Sequence, residues 1–218
     1  MEYFKAVMLV IFAYLMGSIP WGFIIGKAKG IDVRTVGSKN IGATNVTRCV
    51  GKAAGKLCFA LDFAKGALPV FAAQKLIGCG FISMPQAWQV YVVIAVLLAT
   101  VLGHMFPVFL KFHGGKGVST AAGAVVALAP VALLTALVVW VVVFLVSRYV
   151  SLASISAAAV LPVAAWVLYL IGFGSELART PEVRVFLILI ALLTIIRHRT
   201  NIQRLLQGTE NRFGKKSE

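Results

Sequence analysis

Six apolar runs divide the chain, at residues 3–26, 56–78, 87–110, 118–147, 151–172 and 183–196. Between them lie shorter stretches of glycine, small polar residues and cations. A helix needs about 20 apolar residues to cross a hydrocarbon core about 30 Å thick. Five runs fit a single crossing, the last being short. The run at 118–147 would reach about 45 Å as one helix, too long without steep tilt. Pro130 interrupts it and lacks the N–H that a helix interior needs. Two short helices meeting near Ala129–Pro130 are therefore predicted. Gly17-Ser18-Ile19-Pro20, with Gly22 and Gly26, predicts close helix packing or a helix break facing a cavity within the first run.

Composition strengthens this picture. Of 218 residues, 60% are hydrophobic and 13% charged, and the mean hydropathy is +0.93. Soluble domains are about 45–50% apolar and about 25% charged. The pattern predicts an all-α integral membrane protein, a single polytopic domain over 1–218. The first run has no basic leader and no small-x-small cleavage site, so it reads as a span and not a signal peptide. Cys49, Cys58 and Cys79 show no CxxC spacing and give no disulfide framework.

Net charge is +14, from 21 Lys+Arg against 7 Asp+Glu. Nucleic acid is not the expected partner, because no soluble basic face or aromatic platform is visible. The cations flank apolar runs, which points to anionic lipid heads or a small anionic substrate. Their distribution also sets the topology. If 118–147 crosses twice, segments 27–56, 111–116, 148 and 197–216 share one side. They carry seven, two, one and six cations, or 16 of the 21. The other side keeps Lys5, Lys75, Arg179 and Arg184, and Lys65 lies within a span. The cytoplasmic excess of Lys and Arg then predicts seven transmembrane helices, with the N-terminus outside and the C-terminus cytoplasmic.

Four polar segments would thereby face the cytoplasm. In Gly37-Ser38-Lys39-Asn40-Ile41-Gly42-Ala43-Thr44-Asn45-Val46-Thr47-Arg48, glycines let backbone amides turn toward an anion. Ser38, Asn40, Thr44 and Asn45 add neutral donors, and Arg48 can fork two phosphate oxygens. A helix starting near Thr44–Asn45 would add its positive end. An ordinary capped loop fits the segment equally well. In the second segment, Gly114, Gly115 and Gly117 surround Lys116, which favours anion binding. It is not a Walker A loop, since position 110 is Leu and position 117 is Gly. Ser151 and Ser154 share a helical face, as do His198 and Asn201. Small residues at a helix interface and a basic stop-transfer flank explain those pairs as readily. Asp62 and Lys65, three residues apart inside a span, can pair with each other and are functional suspects by position.

There is no HExxH, no paired carboxylates, no Cys/His cluster and no Gly-x-Ser-x-Gly elbow. Phosphate chemistry here is expected to use cations, amides and hydroxyls, without metal or cofactor.

Taken in order, GSIPWG at 17–22, GSKNIGATNVTR at 37–48, GHMFPVFLKFHGGKGVST at 103–120, Ser151 and Ser154, and HRTNIQRLLQGTE at 198–210 span nearly the whole chain. Together they resemble the bacterial acyl-phosphate:glycerol-3-phosphate acyltransferase family. The resemblance implies a seven-helix enzyme of the bacterial inner membrane, working at the cytoplasmic face as a monomer among membrane lipids. Its substrates would be acyl phosphate and glycerol 3-phosphate, and its products lysophosphatidic acid and phosphate. Ser38, Asn40, Arg48 and Lys116 would lie around the substrate phosphates, joined by Ser151, Ser154, His198 and Asn201 as the catalytic set. Lys39 stands where the family usually has Gly, His113 where Lys is usual, and Ser119 where Ala is usual. A transporter or channel for phosphate-bearing metabolites is the alternative. It would want a matching polar set on the far side or at mid-membrane, and none is seen.

Overall fold

The computed structural model describes residues 1–214. Lys215 and Lys216, counted above with the C-terminal cations, and Glu218 lie outside the described residues. The chain forms two compact units, Met1–Ala127 and Leu128–Glu218. Among the described residues all regular structure is helical.

The first unit holds α1 (Glu2–Ser18), α2 (Trp21–Ala28), α3 (Ala43–Cys49), α4 (Lys52–Gly78), α5 (Gln86–Met105) and α6 (Val118–Val126). The first apolar run is thus two helices, broken at Ile19–Pro20. Pro20 is the cause, because its ring cannot continue the hydrogen-bond ladder. A break within an apolar run frees carbonyls that need partners. Lys65 of α4 supplies one, donating from Nζ to Ile19 O at 2.7 Å. The helices approach closely through glycine. A Cβ at Gly17 of α1 would overlap Thr100 O of α5, and one at Gly103 of α5 would overlap Tyr14 O of α1. Gly66 of α4 and Gly123 of α6 make the same reciprocal approach, against Thr120 O and Phe63 O. Within a bilayer such backbone contact supplies association energy that apolar burial cannot.

The second unit holds α7 (Pro130–Ser147), α8 (Val150–Leu170), α9 (Pro181–Arg197) and α10 (Arg199–Leu206). Pro130 occupies the first turn of α7, where a missing N–H costs nothing. Leu134, Val138, Val142 and Val146 of α7 are exposed, as expected of a helix apolar all round. Arg184 of α9 is buried with its guanidinium 3.5 Å from the Tyr169 ring centroid and 4.5 Å from that of Trp166.

Five segments are long and apolar enough to cross a membrane: Glu2–Ala28, Lys52–Gly78, Gln86–Leu110, Pro130–Ser147 and Val150–Leu170. A sixth is the α9–α10 pair, bent by 57°. The chain is an integral membrane protein of five or six such segments. The run at 118–147 does divide just before Pro130, as its length and proline predict. However, α6 has only nine residues, about 13 Å, short of a full crossing.

Candidate active site

In the first unit, the loop at 37–48 is organised by Asn45, whose side chain is buried. Its Nδ2 donates to Val33 O at 2.8 Å, Asn40 O at 2.9 Å and Val36 O at 3.2 Å. Its Oδ1 accepts from Ser38 N at 2.8 Å. The amide group is therefore spent on the loop's own backbone. Asn40 Oδ1 accepts from Gly42 N at 2.8 Å, just ahead of α3, which starts at Ala43 and carries Thr44 in its first turn. Arg48 lies exposed near the end of α3, and Ser38 and Asn40 are half-buried. The loop turns at Gly37, with φ +60°, and at Lys39, with φ +55°. Both lie in the left-handed region that favours glycine, which accounts for a glycine preference at position 39. Upstream, Arg34 clamps Asp32 with Nε to Oδ1 at 3.0 Å and Nη2 to Oδ2 at 2.7 Å. That hydrogen bonding holds the Asp32 carboxyl well below the usual range.

The glycine–lysine loop folds onto the end of α5. Gly115 N donates to His104 O at 3.1 Å, and a Cβ at Gly115 would overlap His104 Nε2. Gly117 has φ +81° and precedes α6. Lys116, between them, is half-buried. Behind the loop, His104 Nδ1 lies 3.5 Å from Asp62 Oδ1, which also receives Lys65 Nζ at 2.9 Å. The Asp62–Lys65 pair foreseen from their spacing is thus present, and both side chains are only 2% exposed. Cys58 Sγ completes the group, 3.6 Å from Asp62 Oδ2.

In the second unit a buried polar cluster forms around Glu210. Its Oε1 accepts from Ser151 Oγ at 2.8 Å and Asn201 Nδ2 at 2.7 Å, and its Oε2 from Arg204 Nε at 2.7 Å. Burial pushes the Glu210 carboxyl upward, but bonds from Asn201, Arg204 and Ser151 outweigh it and hold it below its ordinary value. Asn201 Oδ1 is buried without a hydrogen-bond partner among the described residues. His198 sits at the bend between α9 and α10, with Nδ1 2.8 Å from Thr194 O. A carbonyl only accepts, so Nδ1 carries a proton in this contact. Ser154 is placed differently from Ser151. Its Oγ donates to Val150 O at 2.8 Å and accepts from Trp140 Nε1 at 3.1 Å.

Glu210 and His104 were not among the expected site residues, although both lie inside the blocks that carry the resemblance. An isolated acid in a cationic tail was the available signal for Glu210.

The family description "Glycerol-3-phosphate acyltransferase" matches residues 7–208. A glycerol-3-phosphate acyltransferase of Aquifex aeolicus (strain VF5) is 49% identical over 210 residues, covering 96% of this chain and 100% of that protein. One of Trichlorobacter lovleyi is 48% identical over 201 residues, covering 92% of this chain and 94% of its own. The crystal structure of PlsY (YgiH), an integral membrane glycerol 3-phosphate acyltransferase, in its glycerol 3-phosphate form superposes with a TM-score of 0.82. It is 48% identical, with 96% of each chain covered. Its lysophosphatidic acid form gives a TM-score of 0.80. This chain belongs to the glycerol-3-phosphate acyltransferase family.

Proposed function

We propose that the chain transfers a fatty acyl group from acyl phosphate to the 1-hydroxyl of glycerol 3-phosphate. The observation that carries this is the near-full-length match in sequence and fold to an enzyme captured with glycerol 3-phosphate and with lysophosphatidic acid. The donor is the one that the family resemblance implies, and its chemistry suits a site built of cations, amides and hydroxyls. Acyl phosphate is already activated, and phosphate is a competent leaving group. The new bond joins the glycerol oxygen to the acyl carbon, the bond from that carbon to phosphate oxygen breaks, and the hydroxyl proton passes to the departing phosphate.

In this reading Ser38, Asn40, Thr44 and Arg48 meet substrate phosphate, and so do Gly114, Gly115, Lys116 and Gly117. Asn45 fixes the shape of its loop. Amides and cations aimed at an anion are already oriented when charge develops. Ser151, Asn201 and His198 orient the hydroxyl for attack, and Ser154 sets the neighbouring helix face. The enzyme works as a monomer in the bacterial inner membrane, with its chemistry on the cytoplasmic face, its N-terminus outside and its C-terminus inside. In this topology α6 makes the seventh crossing, with surrounding protein covering the ends that its nine residues leave within the core.

Purified protein should release phosphate from acyl phosphate only when glycerol 3-phosphate is present. Uptake of a phosphate ester into vesicles without chemical change would instead make the chain a carrier. His198→Gln tests the proton route. With the phosphate oxygen as acceptor, the variant keeps its pH profile and most of its rate. A fall of about a hundredfold with loss of the acidic limb would make His198 the general base.

A further inference from the structure

We propose that His104, braced by Asp62, is a positioning residue that sets the backbone of the glycine–lysine loop and so the reach of Lys116. The inference rests on the reading of that loop as a phosphate site. His104 is 4% exposed and presents two differently engaged nitrogens. Nδ1 lies 3.5 Å from Asp62 Oδ1. A carboxylate only accepts, so this contact, at ion-pair distance, favours a proton on Nδ1. Nε2 faces Gly115 so closely that any side chain there would overlap the ring. The His104 carbonyl takes Gly115 N at 3.1 Å. One residue therefore touches Gly115 through both its main chain and its ring.

Asp62 is itself held in place. Lys65 binds it at 2.9 Å and anchors to Ile19 O at 2.7 Å, and Cys58 Sγ lies 3.6 Å from its other oxygen. The brace thus runs from the α1 break, through α4, to the ring at the end of α5 and onto the loop. Its ionised members are buried far more deeply than surface chemistry needs. Catalytic geometry is sensitive to displacements of about 1 Å, and a loop rich in glycine has little stiffness of its own. A buried imidazole packed between Gly115 and the Asp62 carboxylate supplies that stiffness.

The test uses the full chain in detergent, with KM for each substrate, kcat and the unfolding midpoint measured for H104A, H104N, K116A and H104A/K116A. K116A identifies which substrate's KM depends on the loop. H104A is expected to raise that same KM by about tenfold and to leave the other within about twofold. The double variant should be no more than about twofold worse than K116A, because both act through one loop. H104N keeps a donor toward Asp62 but cannot reach Gly115. It should retain the wild-type unfolding midpoint and still show the rise in KM, which separates positioning from folding should H104A not fold. Wild-type KM values in H104N, or losses that multiply in the double variant, would overturn the positioning role alone. A K116A protein with both KM values unchanged would overturn the phosphate reading of the loop and this inference with it.

Discussion

Asp62→Ala is expected to cost about 3–5 kcal/mol of stability, the penalty for leaving a buried charge without its partner. The stranded charge is Lys65, 2% exposed and 2.9 Å from Asp62. Pairing is what lets Lys65 remain inside the protein, since an isolated ion there loses its hydration with nothing in return. Asp62→Leu combined with Lys65→Met should therefore recover more than half of the loss, although the Ile19 carbonyl then lacks its donor. Thermal unfolding of purified protein in detergent measures both. A single Asp62 variant as stable as wild type would mean that the ammonium finds another partner.

The next largest expected effect is at Glu210. Glu210→Gln should cost about 2–4 kcal/mol, because charge-assisted bonds of about 1.5–3 kcal/mol each are replaced by mismatched amide contacts. Ser151, Asn201 and Arg204 all donate to this carboxylate, and an amide nitrogen cannot accept from any of them. The pH dependence follows from the depressed folded-state value of Glu210. Its contribution is complete above the ordinary carboxylate pKa of about 4.5 and is lost as pH falls through the lower folded value. Unfolding midpoints taken from pH 7 to pH 3 should show a shallower acid slope in E210Q than in wild type. The part due to Asp32 persists, since that carboxyl is also held low. Identical slopes would show that the Glu210 cluster does not govern acid stability.

The helical plan was legible because each signal was local. Run length marked the apolar segments, Pro130 divided the long run, and Gly17, Ser18 and Pro20 announced a break in the first. The i, i+3 spacing of Asp62 and Lys65 was enough to foresee their pairing. Contacts made across long sequence separations were not legible. Ser151 reaches Glu210 over 59 residues, and Lys65 reaches Ile19 over 46, with no periodicity to announce either. Asn45 shows the same limit at short range. An asparagine in a glycine loop reads as a donor for ligand, and only the backbone path reveals that its amide closes the loop on itself. Ser151 and Ser154 look equivalent by spacing, yet one meets a carboxylate and the other an indole. The number of crossings depends on α6, whose nine residues were merged with α7 in the apolar pattern.

The bond from Trp140 to Ser154 gives this enzyme an optical readout of its own. The indole N–H is tied to a hydroxyl 3.1 Å away, three residues along α8 from the Ser151 side chain. Indole emission shifts in colour with the polarity and hydrogen bonding of its surroundings. With Trp21, Trp88 and Trp166 changed to phenylalanine, the remaining fluorophore would watch that stretch of α8 during turnover, without an attached dye.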